Sequence, residues 1–161
     1  MLSTLFQILT DAMYLVPFQV KRFKAREPDA QVIAAGATKA RRFGSASEIR
    51  AEPGWITSRR GALILTTEKL VVGSWTIPLA TITSATLVRI KMLFAESLVL
   101  KVSTDSGRHY QFGLQYNPTW EKQTALPLAI EDDKLKYSVF SIVLRIGVVI
   151  LLGWLLIRWL F

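Results

Sequence analysis

Few side chains in this chain have types and spacing suited to chemistry. The single histidine is His109, with Ser103 and Asp105 a few residues before it. A Ser–His–Asp relay is defined by geometry, not by proximity in the chain, and this spacing does not supply that geometry. One imidazole without thiolate partners is a poor zinc site, because zinc takes three or four ligands. The chain has no cysteine, which excludes thiol nucleophiles, thiolate metal sites, disulfides and lipid attachment at Cys. The acidic run Glu131–Asp132–Asp133 could hold a divalent cation. Acids at the start of a following helix explain it better, since they cap the helix and offset its dipole. No Gly-rich phosphate loop is present. The sequence therefore predicts no enzyme, no catalytic residues, no metal and no cofactor.

The basic residues are the second group. Lys and Arg number 20 against 12 Asp and Glu, for a net charge of +8. Residues 21–60 alone hold ten basic and four acidic side chains. Lys39, Arg41, Arg42, Arg50, Arg59 and Arg60 bracket the first predicted strands. An arginine fork grips phosphate oxygens in pairs, and each basic residue near an anionic membrane is worth about 1 kcal/mol. Two readings stand: a solvated flank of a membrane protein, or general attraction to anionic lipid. No nucleic-acid motif accompanies the charge, so no specific nucleic-acid partner is expected.

These residues need elements to hold them. Hydrophobic residues make up 51% of the 161 positions and mean hydropathy is +0.33, too apolar for disorder as the main state. The segment from Tyr137 to Phe161 is apolar on every face. As a helix it would run ~37 Å at about 1.5 Å per residue, enough to cross a ~30 Å hydrocarbon core with tilt. Trp154 and Trp159, with Tyr137 at the other end, suit the two interfaces. Arg145 would lie ~6 Å from the midplane of a centred span, where insertion costs roughly 2.5–3.5 kcal/mol. Ser141, one turn earlier, shares its face, so Ser141 and Arg145 are expected to meet a transmembrane partner. Lys122, Lys134 and Lys136 precede the span and only Arg158 ends it. The positive-inside rule puts the upstream domain in the cytoplasm as a single-pass layout.

The N-terminal stretch differs. Leu2, Leu5, Phe6, Leu9, Met13 and Val16 follow a helical apolar spacing, with Ser3, Thr4, Gln7, Thr10 and Asp11 mostly opposite. This predicts a short amphipathic helix stopped near Pro17, too short to span and unlike a signal peptide. Two settings are open. Leu5, Phe6, Leu9 and Met13 face a membrane interface, with Lys21, Arg22, Lys24 and Arg26 toward anionic head groups, or they pack on protein.

Between residues 31 and 116 the helical period gives way to short apolar runs broken by turn signals, a small mainly-β domain. Leu63 and Leu65, then Leu70, Val71 and Val72, flank a turn at residues 66–69. Gly73–Ser74 makes a second turn. Trp75, Ile77, Leu79 and Ile82 lead on to Ala85, Leu87, Val88 and Ile90. Leu98, Leu100 and Val102 return as Tyr110, Phe112 and Leu114 around a hairpin at Thr104–Asp105–Ser106–Gly107. A short helix is expected from Pro118, capped by Asn117, to about Leu126, where Pro127 ends it. The run Gly61-x-Leu63-x-Leu65-Thr66-x-x-x-Leu70-Val71-Val72, followed by Trp75-x-Ile77-Pro78-Leu79-x-x-Ile82, resembles the core of GRAM and bacterial PH-like domains. The resemblance covers residues 31–126, sharpest at 61–82. It implies a bent seven-stranded sheet closed by a C-terminal helix, and a fusion to membrane helices fits bacterial members. It also implies that Lys39, Arg41, Arg42, Arg59 and Arg60 hold anionic lipid phosphates. The first strand is weakly marked and the closing helix short.

The expected organisation is an amphipathic helix and basic linker over 1–29, a PH-like (GRAM-like) domain over 30–126, a linker over 127–136 and a transmembrane helix over 137–161. The expected function is a non-enzymatic, membrane-anchored interaction module. It would act as an accessory or scaffold subunit of a larger complex, with an integral membrane protein as partner. The alternative is a reader of anionic phospholipid head groups through the basic loops.

Overall fold

The computed structural model describes residues 2–44, 50–51, 58–91, 96–133 and 136–137. The architecture is mainly β. One eight-stranded sheet curls into a half-barrel, with two helices before it. The helices are α1 (Leu2–Met13) and α2 (Val16–Arg26). The strands are β1 (Val32–Phe43), β2 (Arg50–Ala51), β3 (Arg59–Thr66), β4 (Lys69–Val72), β5 (Trp75–Pro78), β6 (Ile82–Lys91), β7 (Glu96–Thr104), β8 (His109–Gln115), β9 (Leu128–Asp133) and β10 (Lys136–Tyr137). A single helical turn, α3 (Thr119–Lys122), lies between β8 and β9. The sheet order is β5-β4-β3-β1-β8-β7-β6-β9, and β2 pairs with β10 in a separate parallel pair.

The tight turns form where their residues allow them. Thr66 Oγ1 accepts from the N–H groups of Glu68 and Lys69, folding β3 back into β4. Gly73 and Gly107 take positive φ at the β4–β5 and β7–β8 turns, a backbone that an L side chain resists. The strands then alternate. Leu63, Leu65, Leu70, Val72, Leu98, Leu100, Val102, Phe112 and Leu114 build the main core on one face. Trp120, carried by α3 and 1% exposed, plugs it. A Cβ on Gly36 would sit 3.4 Å from Trp120 Nε1, so the indole packs close against β1 at this glycine. Arg89 holds the plug from outside: its guanidinium donates to Glu121 at 2.8–3.0 Å and reaches Asp132 on β9 at 3.5 Å. The Glu121 hydrogen bond and charge raise the Arg89 pKa above its usual value.

Several expectations need correction. Pro17 does not stop the first helix. α1 ends at Met13, Leu15 turns left-handed at φ 52°, and Pro17 sits in the first turn of α2. There its missing N–H has no intrahelical partner to lose. The basic run Lys21–Arg26 is therefore helix, not linker. β1 is a full twelve-residue strand. The helix expected from Pro118 shrinks to one turn, although Asn117 Oδ1 does accept from the Thr119 N–H at 2.9 Å. Glu131, Asp132 and Asp133 cap no helix: they belong to β9, which adds to the sheet edge parallel to β6. The transmembrane segment expected over 137–161 lies, but for Tyr137 in β10, outside the described residues. Among the described residues no helix is long and apolar enough to cross a membrane.

Candidate functional site

The antiparallel register between β1 and β3 places Lys39 opposite Arg60 and Ala40 opposite Arg59. Arg41 and Arg42 continue β1 beside Gln111 and Tyr110 of β8. The five basic residues picked out in sequence, about twenty positions apart, thus gather at one end of two neighbouring strands. Side chains alternate, so they divide between faces. Ala40 is buried in the main core, which puts Arg42 and Arg59 on the core face. There Arg59 lies over the Trp75 ring at 4.7 Å, and Trp75 meets Tyr110 edge-on at 5.8 Å. Lys39, Arg41 and Arg60 take the other face, where Arg41 covers the Phe43 ring at 4.7 Å. Lys101 of β7 extends that row, two strands from Arg41 through Gln111. Sequence reading missed Lys101, because only the register brings β7 level with Arg41.

The face away from the main core carries the helices. Val16, with Tyr14, Val20 and Phe23 beside it, packs on Ala37, Ala62 and Ile64. Two polar side chains clamp the helices to open sheet groups. Asp11 Oδ1 accepts the Ala37 N–H at 2.9 Å. Gln19 Oε1 accepts the Ala62 N–H at 3.2 Å, while Gln19 Nε2 donates to the Tyr14 carbonyl at 2.7 Å. Each N–H lies where its neighbouring strand is not paired: β8 joins β1 only from Thr38, and β4 joins β3 only from Leu63. The far end of α2 is fixed by an ion pair, Lys69 Nζ to Glu27 Oε2 at 2.6 Å.

Of the residues expected on an interface helix, Leu5, Phe6, Leu9 and Met13 lie on α1, with Leu9 and Met13 exposed. Lys21, Arg22, Lys24 and Arg26 are exposed along α2. Ile8, Leu15 and Phe18 are exposed beside them. Sequence reading had not picked these out as interface residues. Ser141 and Arg145 lie outside the described residues.

Ser103 Oγ and His109 Nδ1 approach to 2.8 Å across β7 and β8. Asp105 does not join them: its N–H donates to the Thr81 carbonyl in the hairpin tip. The pair has the geometry of an ordinary cross-strand contact. Among the described residues no group of three His, Asp or Glu side chains could hold a metal ion.

No family model matches the chain, and no curated protein matches it.

Proposed function

We propose that the chain is a non-enzymatic, membrane-anchored interaction module. In this reading a PH-like β domain on the cytoplasmic side of a bilayer is held by the apolar tail. It serves as an accessory or scaffold subunit of a larger membrane protein complex. The PH-like reading draws support from the glycine-led strand β3 folding into β4 and β5, and from a curled sheet plugged by a tryptophan just after β8. The ninth strand and the single-turn α3 depart from the family pattern.

One observation carries the choice of a protein partner over lipid: the five loop cations do not converge on one phosphate pocket. Lys39, Arg41 and Arg60 lie on one face of the sheet and Arg42 and Arg59 on the other, where Arg59 is already engaged with Ser74 and the Trp75 ring. Cations spread along a strand face suit an acidic patch on a neighbouring protein better than a single phosphate gripped in a fork. Ser141 and Arg145 would supply the contact within the bilayer.

The test is extraction of the full chain, tagged at its N-terminus, from native membranes in a mild detergent. The expected particle is larger than the protomer and holds a stoichiometric partner. Arg145→Leu, and separately Lys39→Glu with Arg60→Glu, should weaken its recovery. A lone protomer or a homo-oligomer in native membranes would overturn the accessory-subunit reading and return the cations to lipid.

A further inference from the structure

The helix α1 is seated backwards. An amphipathic helix on a soluble domain buries its apolar stripe and exposes its polar one. Here the polar Asp11 turns to the sheet and takes the Ala37 N–H. Leu9 and Met13, on the apolar stripe, are 69% and 74% exposed. Of the six large apolar side chains exposed among the described residues, five lie on this helical hairpin: Ile8, Leu9, Met13, Leu15 and Phe18. Leu15 stands at the joint, held out by its left-handed backbone, and Phe18 follows one turn later. Such clustering is unusual on a water-facing surface.

The charge beside the patch has one sign. Lys21 and Arg22 lie three and four residues beyond Phe18, on the same side of α2, and Lys24 and Arg26 continue to its end. Of the acids nearest the hairpin, Asp11 is engaged with the sheet and Glu27 with Lys69, and Asp29 lies beyond the end of α2. α2 also runs to the sheet end where β1 begins, the end toward which β9 runs.

We propose that the α1–α2 hairpin is a second membrane contact: Leu9, Met13, Leu15 and Phe18 enter the interface of an anionic leaflet while Lys21 and Arg22 meet its head groups. A protein groove would accept the same apolar set, but it would not call for four cations along the adjoining helix. An anionic bilayer calls for both. The proposal rests on the membrane-anchored reading for its direction, since the tail brings the hairpin to the surface.

The absence of cysteine makes the test clean. Full-length Leu9→Cys, Phe18→Cys and Ser106→Cys chains are each labelled with an environment-sensitive fluorophore. They are then reconstituted into vesicles of phosphatidylcholine with phosphatidylglycerol. Co-flotation after an alkaline carbonate wash reports the tail; spin-labelled lipid in the unwashed vesicles reports the hairpin. Labels at positions 9 and 18 should shift to the blue and be quenched from about 5–10 Å below the head groups, whereas position 106, at the β7–β8 tip, should stay in water. Lys21→Glu with Arg22→Glu should weaken that quenching, about fivefold for each charge removed. Flotation with unquenched, water-like labels at 9 and 18 would overturn the hairpin proposal and leave the anchor standing. Blue-shifted labels that lipid quenchers do not reach would assign the face to a second copy of the chain and overturn it too. Loss of flotation after the carbonate wash would overturn the anchor, and quenching in the unwashed vesicles would still uphold the hairpin.

Discussion

The clamp between Asp11 and β1 makes a prediction that can be followed at one amide. Asp11 Oδ1 accepts the Ala37 N–H at 2.9 Å across 26 residues of chain, at the point where β8 has not yet joined β1. A hydrogen bond to a charged group is worth about 1.5–3 kcal/mol. Asp11 is half-buried, so water can replace part of what Asp11→Ala removes, and about 1–2 kcal/mol is the expected net loss. That free energy corresponds to a factor of about 5–30 in the opening equilibrium. The Ala37 amide should therefore exchange with deuterium about 5–30 times faster in the full-length Asp11→Ala chain in detergent. Lys39 and its neighbours, whose N–H groups are paired within the sheet, should keep their rates. Asp11→Asn keeps an acceptor without the charge and should fall between the two. An Ala37 rate within twofold of the parent would refute the clamp, and with it the claim that α1 is seated by its polar side.

Three further outcomes follow from the fold. Trp120→Ala should cost about 3–5 kcal/mol, as large aromatic truncations in cores do, read as a lowered denaturation midpoint. Trp75→Ala, at the half-exposed edge beside Arg59, should cost less. Gly107→Ala should lose about 1–2 kcal/mol from the left-handed backbone alone, because its Cβ would meet nothing within 4 Å; Gly107→Asn should recover part of that in the same melt. Glu121→Gln keeps an acceptor but removes the closer ion pair of Arg89, leaving the more distant one to Asp132, and should speed exchange in β9 ahead of β7 and β8.

What could be read from sequence was what repeats with a strong contrast. From Gly61 to Ile82, leucines and valines alternate with polar residues between good turn formers, and strands β3, β4 and β5 fall there. β1 hides because its inward positions are small. Ala34, Gly36 and Ala40 face the main core, Gly36 against Trp120, and Ala37 packs in the cluster beneath α2. Small residues carry little hydropathy signal. β9 hides for another reason: Leu-Ala-Ile-Glu-Asp-Asp is an edge strand, paired on one side with β6, and reads as a linker. The basic set was visible as two clusters, yet its split between faces was not. Which members share a face follows from the β1–β3 register, Lys39 opposite Arg60 and Ala40 opposite Arg59, and the sequence does not display that register.

The helical hairpin shows why amphipathicity alone does not say which side meets water. The apolar spacing of α1 is real, and it was compatible with either a membrane or a protein. Two open backbone N–H groups on the sheet settle how the hairpin sits. Leaving the Ala37 and Ala62 donors unpaired beneath a helix would cost about 1–3 kcal/mol each. Asp11 and Gln19 are placed to meet them. Once Asp11 faces the sheet, helical geometry turns Leu9 and Met13 outward, whatever their hydropathy. A single unassisted domain in water would gain by exchanging these apolar residues for polar ones, since nothing in its own packing needs them. Their presence is therefore better explained by a second apolar phase against the hairpin than by the stability of the β domain. Leu9→Ser with Met13→Ser separates the two: it should leave the melting of the sheet unchanged while lowering lipid quenching at position 18. A fall in the sheet's melting midpoint of more than about 5 °C, on the order of 1 kcal/mol for a domain this size, would show instead that the exposed stripe serves the fold.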